Sequence, residues 1–368
     1  MPSIERTPNR RWRARYRDLA GRSRSQTFDR KIDAARFLER TAADLQRGQW
    51  NDPAMLRSTF GSWAETWFET TAALKPSTRV GYRHALDRRV LPHWRDRPLG
   101  TIDRAEVRKW VAGLMDDGLS PKWVRNVVSV FSLVLELARD AGAMRDNPAR
   151  GIRLPRSARP EPRFLTAEEV ERLADATREE YRFFVWLAAY SGLRPGEMCG
   201  LRVRRLDLLR RRVHVAETLQ PIRGVLTSGP PKTYEVRAVP IPRFLVDAAG
   251  THLGIRAEQL GRALGPDDWV FGGQEDPAQG LNRDSFRKWV VLPALREAGL
   301  PESVRTHDLR HTCASLLIHL GAHPKAIQDR LGHSDIGVTL NLYGHLFPSL
   351  EEHLTDALED LRRTATGS

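Results

Sequence analysis

The chain has 368 residues, 40% of them hydrophobic and 29% charged, which is enough apolar mass for two or three buried cores. With 59 Lys+Arg against 46 Asp+Glu it carries a formal net charge of +13 and a pI near 10.3, a balance that points to a polyanionic partner, nucleic acid first. Cys199 and Cys313 are the two cysteines, too few for a zinc site or a disulfide framework and in keeping with a reducing cytosol; the N-terminus lacks the apolar run of a signal peptide, and no stretch approaches the ~18 apolar residues of a membrane span.

Residues 1–56 read as a small separate module. Arg10, Arg11, Arg13, Arg15 and Arg17 alternate with Trp12, Ala14 and Tyr16, and period two with aromatics predicts a strand with one basic face. Ala20 and Gly21 make a turn, and residues 23–28 are the partner strand. A helix over residues 33–47 aligns Ala34, Phe37, Leu38, Ala42 and Leu45 in one stripe. Residues 1–50 hold thirteen Lys+Arg against six Asp+Glu, a surplus of seven. Such a stretch is either a solubilising basic tail or a folded module that touches DNA. The order strand, strand, helix favours the second, since a basic β-ribbon fits a groove, and Arg11, Arg13 and Arg15 are then its DNA-contacting residues.

Residues 58 to about 145 read as helical. Phe60, Trp63 and Trp67 fall at i, i+3 and i+7. Pro76 and Ser77 open a second helix carrying Val80, Tyr82, Leu86 and Val90. Asp103 caps a third around Val107, Trp110, Val111 and Leu114. Ser120 and Pro121 open a fourth, with Val124, Val127, Val128, Phe131, Leu135 and Ala138 on its buried face. Arg79, Arg83, Lys109, Lys122 and Arg125 lie on the polar faces, and the tryptophans read as core rather than as base-stacking groups. By pattern alone this is any small four-helix bundle. Residues 146–164 hold four prolines, a basic surplus and no apolar period, so they are expected to be an extended linker.

Thr166 and Glu169 form a capping box for a helix that runs to about Thr177, and residues 181–190 are apolar enough to be buried. Then comes S-G-L-R-P-G-E. Arg194 precedes Pro195 and is pushed off helical geometry, while Pro195 suits a first helical turn. Arg194 is thus expected at a helix N-terminus, where an anion is favoured, with Glu197 placed to fix its guanidinium. Alone, the same pattern is an ordinary helix start with a surface ion pair. Residues 211–218 and 237–241 alternate as strands, joined by a glycine-proline turn region that carries Lys232. In a chain with 52 Arg and 7 Lys, Lys232 is the only lysine between Lys122 and Lys288. Arginine keeps its proton at any working pH, whereas lysine can give one up, so a lone lysine on a hairpin tip suits a mobile acid. Residues 242–300 read as helices and loops, with W-V-F-G-G a buried segment before a turn and residues 285–298 helical.

The densest pattern lies in residues 302–348. His307, Arg310 and His311 stand at i, i+3 and i+4, on one face of a helix seated by Leu309, Leu316, Leu317 and Leu320. Gly332 ends a second helix as a left-handed cap, His333 follows it, and Tyr343 comes ten residues later. Beyond it Leu350, Leu354, Leu358 and Leu361 form one apolar stripe, suited either to its own domain or to a neighbouring copy.

H-x-x-R, then L-G-H, then Tyr, preceded by S-G-L-R-P-G-E, resembles the tyrosine recombinase (phage integrase) family, with Ser191 where threonine is commoner. The resemblance is specific over residues 165–348 and looser over 58–153. It implies a mainly α fold with small β elements: an arm-type DNA-binding module (1–56), a four-helix core-binding domain (58–153) bearing Arg79, Arg83, Lys122 and Arg125 toward the duplex, a mixed α+β catalytic domain (165–348) and a tail helix (349–368). Tyr343 would attack phosphorus and become a covalent 3′-phosphotyrosine, Arg194 and Arg310 would clamp the non-bridging oxygens, and His307 and His333 would hydrogen-bond the phosphate or relay the tyrosine proton. Lys232 would protonate the departing 5′-oxygen, with Glu197 and His311 in support. No metal or other cofactor is implied, since no cluster of carboxylates accompanies these motifs. The implied partners are double-stranded attachment sites and a homotetramer on DNA, with a host DNA-bending factor and a directionality factor as further candidates, in the bacterial cytosol at the nucleoid. Two alternatives share these residues. A Xer-like chromosome-dimer recombinase is disfavoured by the basic N-terminal module, because those enzymes resemble only the last two domains. A non-catalytic DNA-binding protein is disfavoured by the complete set of six catalytic-type residues.

Overall fold

The computed structural model describes residues 2–18, 21–46, 53–155, 163–231, 236–347 and 351–366, the side chains of 53–54, 351–354 and 356–357 excepted. The chain is mainly helical with small sheets and divides into two compact units, residues 1–159 and 160–368.

The first unit opens with an antiparallel meander of β1 (Ser3–Arg6), β2 (Trp12–Arg17) and β3 (Ser23–Phe28). Strand alternation sorts β2 as its sequence requires: Ala14 and Tyr16 are buried while Arg15 and Arg17 face out. Helix α1 (Lys31–Gln46) covers the apolar face, where Phe37 meets the rings of Tyr16 at 5.7 Å and Phe28 at 5.2 Å. Strand β1 is too short to show a period in sequence. It matters for charge, because Glu5 takes ion pairs from Arg15 at 2.9 Å and Arg13 at 3.4 Å, and Arg11 pairs with Asp29 at 2.8 Å.

A helical bundle follows: the short α2 (Pro53–Leu56), then α3 (Phe60–Thr70), α4 (Pro76–Ala85), α5 (Leu91–Trp94), α6 (Arg104–Asp116) and α7 (Pro121–Asp140). The caps are those the sequence signals: Asp103 accepts from the Glu106 amide at 2.8 Å, and Ser120 from the Trp123 amide at 3.3 Å. The second expected helix is interrupted. Pro92 has no N–H for the Arg88 carbonyl, and a π-helical turn at Leu86–Val90 links α4 to α5. Phe131 sits at the centre, with the rings of Phe60, Trp94 and Trp110 at 5.0, 4.9 and 5.1 Å, so these tryptophans are core. Arg83 is held by Asp87 at 2.6 Å and Glu65 at 2.7 Å, Arg79 lies 4.8 Å over Phe68, Arg125 donates to the Pro155 carbonyl, and Lys122 is exposed.

The second unit begins with α8 (Ala167–Asp175), opened by the Thr166 and Glu169 capping box, then α9 (Glu179–Ser191) and α10 (Pro195–Cys199). Strands β4 (Leu206–Asp207), β5 (Arg212–Val215), β6 (Thr218–Ile222), β7 (Val225–Gly229) and β8 (Arg237–Pro240) make two sheets, β4-β5-β8 and the hairpin β6-β7. The expected single strand over 211–218 is therefore two: β5 ends at Val215 and Thr218 starts the hairpin. Arg223 and Gly224, at φ 51° and 80°, form its two-residue turn. Next come α11 (Arg243–Leu260), α12 (Arg283–Phe286), a second π-helical turn (Arg287–Val291) ahead of Pro293, and α13 (Leu292–Glu297). The unit closes with α14 (Thr306–His319), α15 (Pro324–Leu331), α16 (Ile336–Tyr343) and α17 (Glu351–Thr366).

Helix α9 runs through the core against Phe271 and Phe286, and α14 packs along it. Leu309, Cys313, Ala314 and Ile318 seat α14, with Leu316 and Leu317 half-buried. Leu320 corrects the expected stripe: it lies past the last helical residue and is 79% exposed. On α17, Leu358 and Leu361 are exposed, while Leu350 and the Leu354 side chain lie outside the described residues.

Candidate active site

The site is assembled from helix ends. Helix α9 stops at Gly192 (φ 72°) and α15 at Gly332 (φ 64°), both in the left-handed conformation that suits glycine. The last carbonyls of a helix have no partner inside it and stand at the negative end of its dipole. Here they hold guanidiniums. Arg310, on the buried face of α14, donates from Nη1 to the Gly192 carbonyl at 2.6 Å and from Nη2 to the Leu331 carbonyl at 2.7 Å. Arg194 donates from Nη2 to the next carbonyl, that of Gly332, at 2.8 Å. Two guanidiniums are thus aimed by consecutive carbonyls of one cap.

Arg194 is placed as Pro195 demands, extended at ψ 147° and just ahead of α10. Glu197 closes back on it, accepting from its amide at 2.8 Å and its Nη1 at 2.9 Å. Arg310 is only 2% exposed. Burial and the charge of Arg194 bring its pKa down to about 9, which leaves it protonated at neutral pH. Burial alone would raise the Glu197 carboxyl, but hydrogen bonds and charge from Arg237 and Arg194 hold it at about 2.

The histidines are neutral at pH 7. Burial, then the charges of the arginines, bring His333 down to about 3. Burial, then His311 and Arg310, bring His307 down to about 4, and burial lowers His311 as well. The rings of His307 and His311 meet edge to face at 4.9 Å. His333 follows the Gly332 cap, with Nδ1 2.8 Å from the Thr339 hydroxyl and its carbonyl taking a bond from Gln328.

Tyr343 is the last residue of α16 and is fully buried among Ala314, Ile318, Ile327 and Leu331. Its hydroxyl lies 2.7 Å from His311 Nδ1. Burial pushes the phenol up to about 12, so at neutral pH it keeps its proton and shares a hydrogen bond with the neutral imidazole. Arg310, His311 and Tyr343 therefore meet within one copy of the chain.

Arg194, Glu197, His307, Arg310, His311, His333 and Tyr343 lie close together, and Lys232 lies outside the described residues. Arg11, Arg13, Arg15, Arg79, Arg83, Lys122 and Arg125 belong to the first unit. Sequence periodicity passes over three neighbours: Thr339 and Gln328, which steady His333, and Arg237, which binds Glu197. Arg237 does leave a trace. It shares a strand face with Val239 and Ile241, both buried, and an arginine on an inward face needs a partner. Among the described residues no group of three or more His, Cys, Asp or Glu side chains could hold a metal ion, and no helix is long and apolar enough to cross a membrane.

A buried phenol beside two carbonyl-aimed guanidiniums is equipped for phosphoryl transfer through a covalent protein intermediate. Comparison with known proteins agrees with that class. Residues 163–349 match the phage integrase family, and residues 59–115 match the N-terminal SAM-like domain of phage integrases. The chain belongs to the phage integrase family and is a tyrosine-type site-specific recombinase. It is 28% identical over 363 residues to a putative prophage phiRv2 integrase of Mycobacterium tuberculosis, spanning 95% of this chain and 93% of that one. Among solved structures, the Tn1549 transposon integrase in complex with a circular intermediate DNA superposes with a TM-score of 0.69 at 20% identity, covering 82% of this chain and 99% of that one. A lambda integrase tetramer bound to a Holliday junction gives 0.61 at 20% identity, covering 92% and 94%.

Proposed function

We propose that the chain integrates and excises a mobile element at paired double-stranded attachment sites, acting as a homotetramer on DNA in the bacterial cytosol at the nucleoid. The observation that carries this reading is the Tyr343 hydroxyl on His311, next in sequence to the carbonyl-held Arg310. Tyr343 attacks the scissile phosphorus, the bond to the 5′-oxygen breaks, and the strand is stored as a 3′-phosphotyrosine. Arg194 and Arg310 neutralise the non-bridging oxygens, and His307 and His333 donate to them. His311, 2.7 Å from the phenol, takes the proton that Tyr343 loses as its oxygen bonds to phosphorus, and Lys232 supplies the proton to the departing 5′-oxygen. The phosphoester energy is retained, so rejoining needs no nucleotide and no metal. Residues 1–56 act as an arm-type DNA-binding module, residues 58–153 as the core-binding domain, residues 165–348 as the catalytic domain and residues 349–368 as a tail helix. A directionality factor and a host DNA-bending factor are candidate partners. Similarity to a prophage integrase along 95% of the chain, N-terminal module included, favours integration over chromosome-dimer resolution.

The test is recombination in vitro between the short paired sequences that flank the element, in EDTA and without ATP. Joined product is expected from the wild type and none from Tyr343→Phe. A requirement for added divalent metal or ATP would refute the reading.

A further inference from the structure

Glu197 carries more than the Arg194 contact. Its carboxylate accepts four bonds: from the Arg194 amide at 2.8 Å and Nη1 at 2.9 Å, and from Arg237 Nη1 at 2.9 Å and Nη2 at 2.7 Å. Four is about the full capacity of a carboxylate. The side chain of Glu197 is fully buried. Arg237 comes from β8, forty residues away in sequence, and meets Glu197 in the bidentate geometry a planar guanidinium favours. Its remaining Nε is buried with no hydrogen-bond partner among the described residues and sits against the α15 cap: a Cβ built on Gly332 would lie 2.9 Å from it. The cap that aims Arg194 and Arg310 thus also leaves room for Arg237.

The charges explain why a third guanidinium is there. With Arg194 alone, Glu197 would cancel its charge and leave the phosphate to meet Arg310. With Arg237 added, three guanidiniums share one carboxylate and the cluster keeps a surplus of two positive charges. Arg237 is close enough that its charge is felt at both Arg310 and His333.

We propose that Arg237 is a positioning residue for strand cleavage: it locks and neutralises Glu197, so that Arg194 is held in place without losing its charge to the carboxylate. The proposal rests on the reading of this cluster as the phosphate site. A lysine at 237 keeps one charge but loses the planar pair of bonds.

Two measurements on the full chain test it. The first follows the Glu197 carboxylate by carbon-13 NMR with labelled glutamate, assigned through Glu197→Gln, between pH 7 and 4. The wild type is expected to show no titration in that window, and Arg237→Lys and Arg237→Ala to bring a midpoint into it. An unchanged Glu197 in both variants overturns the lock. The second is single-turnover cleavage of a nicked attachment-site duplex. Arg237→Ala is expected to slow adduct formation at least tenfold with DNA affinity within threefold of wild type. In the Glu197→Gln background the same substitution is expected to change the rate less than threefold. Equal slowing in both backgrounds overturns a role through Glu197, as does an unchanged rate in Arg237→Ala. If the wild type forms no adduct while the Glu197 midpoint still moves, the phosphate-site reading fails and the ion lock stands.

Discussion

Among the described residues, Arg310 is a buried cation without a carboxylate of its own. The Gly192 and Leu331 carbonyls supply its two bonds, and burying a charge on such partners is costly unless the site is built to meet an anion. The histidines pay a matching cost if protonated, and this fixes a pH dependence. The folded values, about 4 for His307 and about 3 for His333, lie below the ordinary 6.5. Their contribution to stability is therefore complete above pH 6.5 and is lost as pH falls through the folded values. Glu197, at about 2 against 4.5, has the same sign and adds on the order of 3 kcal/mol that is lost between pH 4.5 and 2. The urea midpoint should fall steadily from pH 7 to pH 4, and His333→Gln should flatten the part between 7 and 5. A midpoint that rises on acidification would contradict these buried, depressed groups.

At the level of elements, the site depends on where two helices stop. Gly332 needs a positive φ and also has Arg237 where a Cβ would go, whereas Gly261, ending α11 at φ 61°, has nothing within 4 Å of that position. The pair separates backbone strain from crowding. Gly261→Ala should cost about 1 kcal/mol with cleavage intact. Gly332→Ala should cost more, measured by urea unfolding, and slow adduct formation more than tenfold by displacing the carbonyls that aim both arginines. Equal stability losses and equal rates would show that the cap does not position the site. Local signals made much of this legible in sequence: the Thr166, Asp103 and Ser120 caps, the left-handed Gly332, and the one-turn spacing of His307, Arg310 and His311. Nonlocal ones were not. The Arg237 bond to Glu197 spans forty residues, β1 is too short to show a period, and the π-helical turns before Pro92 and Pro293 depend on which carbonyls find partners. Leu320 fits the helical stripe but falls beyond the helix, where the stripe no longer determines burial.

For the whole molecule, the charge of +13 is distributed in two ways. In the N-terminal meander the arginines lie near the surface, and several share acidic neighbours, as Arg13 and Arg15 share Glu5. In the second unit Arg194, Arg237 and Arg310 are drawn inward around one carboxylate and two helix caps. The first arrangement suits long-range attraction to a polyanion, which salt weakens; the second suits holding one phosphate in a site largely closed to water. Between them stands the claim on which the account depends, that the phenol of Tyr343 takes the broken strand. The direct measurement is to trap the adduct on a nicked attachment-site duplex in EDTA, digest it, and locate the nucleotide by mass spectrometry. The account predicts a 3′-linked nucleotide on the peptide that contains Tyr343, and none with Tyr343→Phe. A nucleotide on another residue, or an adduct that survives Tyr343→Phe, would contradict it.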